Sequence, residues 1–273
     1  MRIVILSSSV YGETACAMAL RMARLGYIPA GTLALRTLDR STLLRKFGQW
    51  GGRGVARYAR MKLMPNDGEG QGQVQNLYLM PLLKNGGGVF RSLHEVATAY
   101  DFPVVSGADQ NAPGAIALLK DWSPDLIIFT GGNILRQPLL NVPRLGVLNV
   151  HLGLLPRIRG MSTPEWSLLK NVPIGITIHY MDAGIDTGPI LQSYQFSEAS
   201  CCSLSDLRNR LIAFGVERIA EVVKALDEGS ISATPQSDLD RDHQFFVMHD
   251  WLQERAAERL ADSWEAFPGT VHG

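Results

Sequence analysis

Asp125-Leu126-Ile127-Ile128-Phe129-Thr130, followed at once by Gly131-Gly132-Asn133, is a continuous apolar run cut off by two glycines. A run of this kind suits a strand buried on both faces of a parallel sheet, because a half-solvated strand would alternate polar and apolar residues. Working back towards the N-terminus, Ala112 to Asp121 reads as a helix that stops near Pro124, Pro103 to Ser106 as a strand, and Ser92 to Tyr100 as a helix. The chain opens with another apolar strand, Ile3 to Leu6. A helix follows over Gly12 to Leu25, with Ala15, Met18, Ala19, Met22 and Leu25 at helical spacing and Gly26 closing it. Pro29 to Leu35 completes a β-α-β unit. Towards the C-terminus lie two more strands, Val147 to His151 and Gly175 to Met181. Alternation of this kind predicts an α/β fold, a mostly parallel twisted sheet with helices on both faces, with ligands bound beyond the carboxyl ends of the strands.

Composition narrows the function classes. With 273 residues, 46% of them hydrophobic, the chain is large enough to bury a full core. The 26 Lys and Arg balance 26 Asp and Glu, so the molecule has no net field with which to draw in nucleic acid or an anionic membrane. No apolar run reaches the roughly 18 residues of a membrane span, and Met1 to Leu6 is too short for a signal peptide. Cys16, Cys201 and Cys202 have neither zinc spacing nor an even disulfide framework, so reduced thiols, a cytoplasmic protein and no metal are expected.

The turn after the first strand, Ser7-Ser8-Ser9-Val10-Tyr11-Gly12, lacks G-x-G-x-x-G, which disfavours a nicotinamide site there. Chemistry concentrates further along. Val147-Leu148-Asn149-Val150-His151 ends in two polar side chains whose two-residue spacing puts Asn149 and His151 on one face. The strand Gly175 to Met181 then leads into the loop Asp182-Ala183-Gly184-Ile185-Asp186-Thr187-Gly188. An amide, an imidazole and a carboxylate at strand ends suit acyl transfer to an amine. The amide donates to a developing oxyanion, the imidazole stabilises charge and moves a proton, and the carboxylate orients the imidazole or relays protons.

Asn149 to Gly160 (NVHLGLLPRIRG) followed by Gly175 to Leu191 (GITIHYMDAGIDTGPIL) resembles the paired signature of the folate-dependent formyltransferases, the superfamily of the glycinamide-ribotide and methionyl-tRNA enzymes. The resemblance is strong from about Asp125 to Leu191. It implies a Rossmann-like catalytic domain over 1–200 with 10-formyltetrahydrofolate as donor, and Asn149, His151 and Asp186 as the catalytic trio. It also implies that Gly132, Asn133, Ile134 and Leu135 form one wall of the pterin site, mostly through main-chain groups. Met181, Asp182, Ala183, Gly184 and Ile185 would form the other wall. Gly153 departs from the pattern, since many members carry Ser after the catalytic His, which puts a hydroxyl contact in doubt.

Around this trio the readings stay open. His179 suits either support of the site or simple packing, Asp182 reads best as a turn residue, and Arg157 and Arg159 are either surface charges or a grip on a substrate anion. Ser8, Ser9 and Gly12 lie where a helix N-terminus would seat a phosphate, or form a plain turn. Arg36 to Lys62 holds eight basic residues and one acid, which reads first as a solvated helical face and second as a contact for phosphate or polyglutamate.

The remaining chain, 201–273, reads as a helical C-terminal extension. Ser203-Leu204-Ser205-Asp206 resembles a capping box opening a helix to about Leu226, and Val247 to Trp264 is amphipathic. The core or a second subunit would cover that second helix, so a homodimer stays open. A helical tail argues against the β-barrel that the tRNA enzymes append, leaving a small-metabolite amine as partner. A nucleotide-linked amino sugar leads, ahead of a hydroxyornithine-like amino acid and glycinamide ribotide. The alternatives are a formyltetrahydrofolate hydrolase and a catalytically inactive folate-binding protein.

Overall fold

The computed structural model describes residues 1–36, 76–196, 201–237 and 243–265, with side chains as far as 261. Most of the basic segment from Arg36 to Lys62 lies outside the described residues. The chain divides into two compact units, Met1–Gly146 and Val147–Gly273.

In the first unit, β1 (Ile3–Ser7) has all five residues buried, and α1 (Glu13–Arg24) follows it. Gly26, at φ 89°, closes α1 in a left-handed conformation that glycine adopts without strain, and Tyr27 N–H returns to the Met22 carbonyl. Burial, reinforced by Glu95 and Glu13, pushes the Cys16 thiol on α1 up to about 12, so it stays protonated. β2 (Gly31–Leu35) pairs parallel with β1; a Cβ on Gly31 would lie 2.8 Å from the Trp122 ring, so that ring needs a glycine beneath it. After α2 (Met80–Leu83), the chain turns between two short antiparallel strands, β3 (Lys84–Asn85) and β4 (Gly88–Val89). α3 (Leu93–Tyr100) is capped by Ser92, whose hydroxyl accepts from the Glu95 N–H. β5 (Val104–Gly107), α4 (Pro113–Trp122), β6 (Leu126–Phe129) and α5 (Gln137–Leu140) complete the unit. Its strands run in the order β6-β1-β2-β5, all parallel, as the apolar runs predict.

The second unit contains β7 (Gly146–His151), β8 (Arg159–Gly160), α6 (Thr163–Lys170), β9 (Gly175–Tyr180) and β10 (Ile190–Gln195). α7 (Leu204–Asp227), β11 (Gln244–Phe245) and α8 (Asp250–Glu265) follow. Here the central pairing is antiparallel: β9 lies between β7 and β10 and runs against both. The parallel sheet expected from the sequence is therefore carried by the first unit, and the second departs from it. For β10 the reason is chain length, since the short link from Tyr180 to Ile190 allows a turn back but not a parallel crossover. β10 was not legible as a strand because Gln192, Ser193 and Gln195 interrupt its apolar pattern.

α7 buries Leu207, Leu211, Val216, Ile219 and Val223, and Gly215 lets its backbone approach β7; a Cβ at 215 would fall 2.6 Å from Val150 Cγ1. The Ser203 hydroxyl accepts from Asp206 N–H at 3.1 Å as expected, while the Asp206 carboxylate reaches Cys202 N–H rather than that of Ser203. α8 packs on α6 and α7, with Ala256 and Leu260 buried and Trp251 58% exposed. Among the described residues no helix is long and apolar enough to cross a membrane, and no group of His, Cys, Asp and Glu could hold a metal.

Candidate active site

The antiparallel register sets Asn149 opposite His179 and His151 opposite Thr177, so all four side chains share one face of the β7–β9 pair. Asn149 Nδ2 lies 3.2 Å from His179 Nε2, and His179 Nδ1 lies 2.9 Å from the carbonyl of Tyr180. A carbonyl can only accept, so Nδ1 carries the hydrogen and Nε2 is the acceptor for the Asn149 amide. His179 is 1% exposed, and burial followed by the neighbouring His151 charge pushes its pKa down to about 4, although Asp186 acts in the opposite direction. It is a neutral acceptor at physiological pH. One Asn149 amide hydrogen is thereby committed, which fixes the side chain's plane, and the other remains for an oxyanion.

His151 is 5% exposed and held on both nitrogens: Nε2 is 2.7 Å from the Ile158 carbonyl, and Nδ1 is 3.4 Å from Asp186 Oδ2. The Nε2 hydrogen must donate to that carbonyl. Nδ1 then faces a carboxylate oxygen, an arrangement that becomes attractive when a second proton sits between them. Asp186 Oδ1 lies 3.6 Å from His179 Nε2, and its Oδ2 also accepts from Gly160 N–H at 2.8 Å. The structure thus brings together Asn149, His151 and Asp186 as expected, and it resolves the open reading of His179, which touches two of the three.

Supporting groups hold this cluster. Thr177, fully buried, donates to the Gly153 carbonyl at 2.8 Å and accepts from Leu155 N–H at 3.1 Å, while Thr163 donates to the Leu152 carbonyl. These bonds fix the chain that leaves His151. A Cβ at Gly153 would lie 3.0 Å from His151 Nε2 and 3.1 Å from the Ile158 carbonyl, so the absent side chain leaves room for that hydrogen bond. Asp182 is a turn residue: its Oδ1 accepts from Gly184 N–H at 3.0 Å and from Thr187 Oγ1 at 2.6 Å. Met181 is half-buried, and Asp182, Ala183, Gly184 and Ile185 are exposed. Arg157 is exposed, whereas Arg159 is 3% exposed, which corrects its reading as a surface charge; pairing of β8 with β11 encloses it.

The first unit gathers the other named residues. Ile134 is 83% exposed but Leu135 only 4%, so of the two side chains only Ile134 is open to a ligand. Gln110, fully buried, was not singled out by sequence. Its Nε2 donates to the carbonyls of Ser7 at 3.1 Å and Gly131 at 3.4 Å, and its Oε1 accepts from Asn133 N–H at 3.1 Å. Asn111 donates to the Ile134 carbonyl and accepts from Arg136 N–H. Gly132, at φ 152°, must be glycine because a Cβ there would meet Gln110 Oε1 at 2.0 Å. The glycine pair was the available signal, and it named a turn without naming the amide that needs it. Ser8 is exposed, Ser9 half-buried, and Gly12 opens α1 with no side-chain cap.

Residues 89–223 match the Formyl transferase family. The methionyl-tRNA formyltransferase of Pelobacter propionicus is 35% identical over 146 residues, 53% of this chain and 46% of that protein. The Geobacter metallireducens enzyme is 36% identical over 145 residues, 52% and 47%. The chain therefore spans about half the length of the curated relatives it matches. Among solved structures, glycinamide ribonucleotide transformylase 1 from Symbiobacterium toebii aligns with TM-score 0.57 at 18% identity, covering 87% of this chain and 95% of that one. A sugar N-formyltransferase from a Shewanella species aligns with TM-score 0.56 at 12% identity, covering 95% and 87%. Those two likenesses concern the fold. It is residues 89–223, with the paired signature they contain, that match the Formyl transferase family, and the likeness to that family rests on this stretch.

Proposed function

We propose that this protein transfers a formyl group from 10-formyltetrahydrofolate to the amine of a small metabolite, with a nucleotide-linked amino sugar as the preferred class. The observation that carries this reading is the hydrogen-bonded Asn149–His179 pair across β7 and β9 with the Asp186 carboxylate of the following loop 3.4 Å from His151 and 3.6 Å from His179. When bound, the folate supplies a formyl carbon activated by its N10 nitrogen. The amine nitrogen attacks that carbon; the free Asn149 amide hydrogen donates to the oxygen as it becomes negative. The buried His151–Asp186 pair accepts the proton released by the amine, and the same proton returns to N10 as the carbon–N10 bond breaks, leaving a formamide and tetrahydrofolate. No covalent enzyme intermediate is needed. Gly132 to Leu135, braced by Gln110 and Asn111, and Met181 to Ile185 are the segments proposed to hold the pterin. Ser8, Ser9, Gly12 and Arg157 are proposed for the substrate's anionic part. A diphosphate-bearing amine suits the hydroxyl-rich turn of Ser7 to Gly12 and the basic residues that follow Leu35 in the sequence.

The test is turnover of 10-formyltetrahydrofolate with a panel of amines comprising nucleotide-linked amino sugars, hydroxyornithine and glycinamide ribotide. A mass gain of one formyl group on a nucleotide-linked sugar supports the full proposal. Gain on another amine overturns the substrate class alone, and formate release without amine product points to hydrolysis. Absence of folate binding sinks the reading.

A further inference from the structure

Asp186 sits in a left-handed backbone conformation, φ 54°, uncommon for a non-glycine residue though less costly for aspartate than for most. Its supports come from the far end of the chain. Thr234 N–H and carbonyl exchange hydrogen bonds with Ile190 at 2.7 and 2.8 Å, which registers the segment after α7 against the catalytic loop. Two residues on, the Gln236 amide nitrogen lies 3.0 Å from the Asp186 carbonyl and 2.6 Å from the Gly188 carbonyl. A primary amide has two N–H donors, and here both acceptors flank Thr187, so one side chain closes the turn that carries Asp186. The turn cannot retreat on its other side, because a Cβ at Gly188 would sit 1.8 Å from the Tyr180 carbonyl, the group that accepts from His179. The donor that meets the carboxylate is braced as well. Gly160, whose N–H meets Asp186 Oδ2, lies against Phe245, which accepts from Met161 N–H at 3.0 Å.

We propose that Gln236 is a positioning residue for Asp186. Its amide holds the backbone rotation that aims one carboxylate oxygen at His151 and Gly160 and the other at His179. The inference rests on the reading of Asp186 as the catalytic carboxylate. It makes the stretch following α7 a component of the reaction apparatus rather than only a cover for the core. An isosteric Gln236→Met variant removes both donors, and Gln236→Glu sets a charge against two carbonyls, so the second is expected to be the worse.

The experiment combines kinetics with amide hydrogen exchange on the full chain. Gln236→Met is expected to lower kcat about tenfold with KM for both substrates within about twofold and the melting temperature within a few degrees. In an Asp186→Ala background the same change should cost nothing further, because a residue that acts through Asp186 has nothing left to position. The Gly160 amide should lose protection in Gln236→Met, a readout independent of turnover. An equal loss of kcat in both backgrounds, or unchanged Gly160 protection, overturns the proposal. If the parent proves inactive on every amine while Gly160 protection still falls in the variant, the positioning stands and it is the formyl-transfer reading that fails.

Discussion

The two units place functional groups by different means. In the first, parallel strands send their carboxyl ends to one edge, where the exits of β1, β5 and β6 are tied by a single buried amide, Gln110, and what they offer is mostly main chain. In the second, antiparallel register sets side chains face to face, so that Asn149 meets His179, and the loop after β9 brings Asp186 to His151. Under the proposed function, parallel ends seat the ligand and the side chains of the antiparallel pair form the reacting cluster. Damage to the first unit should therefore appear in KM for the folate, and damage to the second in kcat.

The largest expected effect lies in the second unit. Asn149→Ala, His151→Ala and Asp186→Ala should each lower kcat on the order of 10²-fold or more, with a much smaller change in KM for 10-formyltetrahydrofolate. A variant that turns over like the parent removes that residue from the mechanism and breaks the contrast.

Next comes Gln110→Ala, which leaves the Ser7 and Gly131 carbonyls and the Asn133 N–H without their partner. Tetrahydrofolate affinity by calorimetry should weaken about tenfold, roughly 1.4 kcal/mol, while kcat at saturating donor stays within about threefold. A fall in kcat with unchanged affinity would reverse the assignment of the two units.

A smaller effect sharpens the role of His179. Its folded pKa of about 4 lies below the ordinary histidine value near 6.5, so between those limits the unfolded chain binds more protons. Stability from keeping the ring neutral is then fully present above about pH 6.5 and lost as pH falls towards 4. Thermal melts across that window should decline more steeply for the parent than for His179→Asn, and parallel curves would remove the buried neutral histidine from the account.

Smallest is Ser203→Ala, which deletes the α7 cap far from the reacting groups. It should cost about 1 kcal/mol of stability and leave kcat unchanged. Any change in turnover would show that α7, which presses Gly215 onto Val150 beside Asn149, transmits strain to the site.

Local chemistry made much of this legible beforehand. The parallel strands were visible because burial on both faces demands continuous apolar runs, as in Leu126 to Phe129, and Ser203 announced a helix start because free N–H groups there need an oxygen. β10 was hidden because an edge strand need not be apolar, and the direction of β9 was hidden because pairing partners are chosen by the whole chain. Within the site, Asn149 and His151 were readable from two-residue periodicity and Asp186 from the resemblance to a known signature. Gln110 and Gln236 were not, since their acceptors lie 103 and 50 residues away in sequence and no local pattern records them.

The sequence by itself determined which residue types stand at strand ends and which runs must be buried, because periodicity and backbone capping are properties of neighbouring residues. Only the tertiary structure decided that His179 is a neutral acceptor, that Arg159 is enclosed, and that two distant glutamines hold the loops in place. Burial and hydrogen-bond partners arise from contacts between segments far apart in the chain.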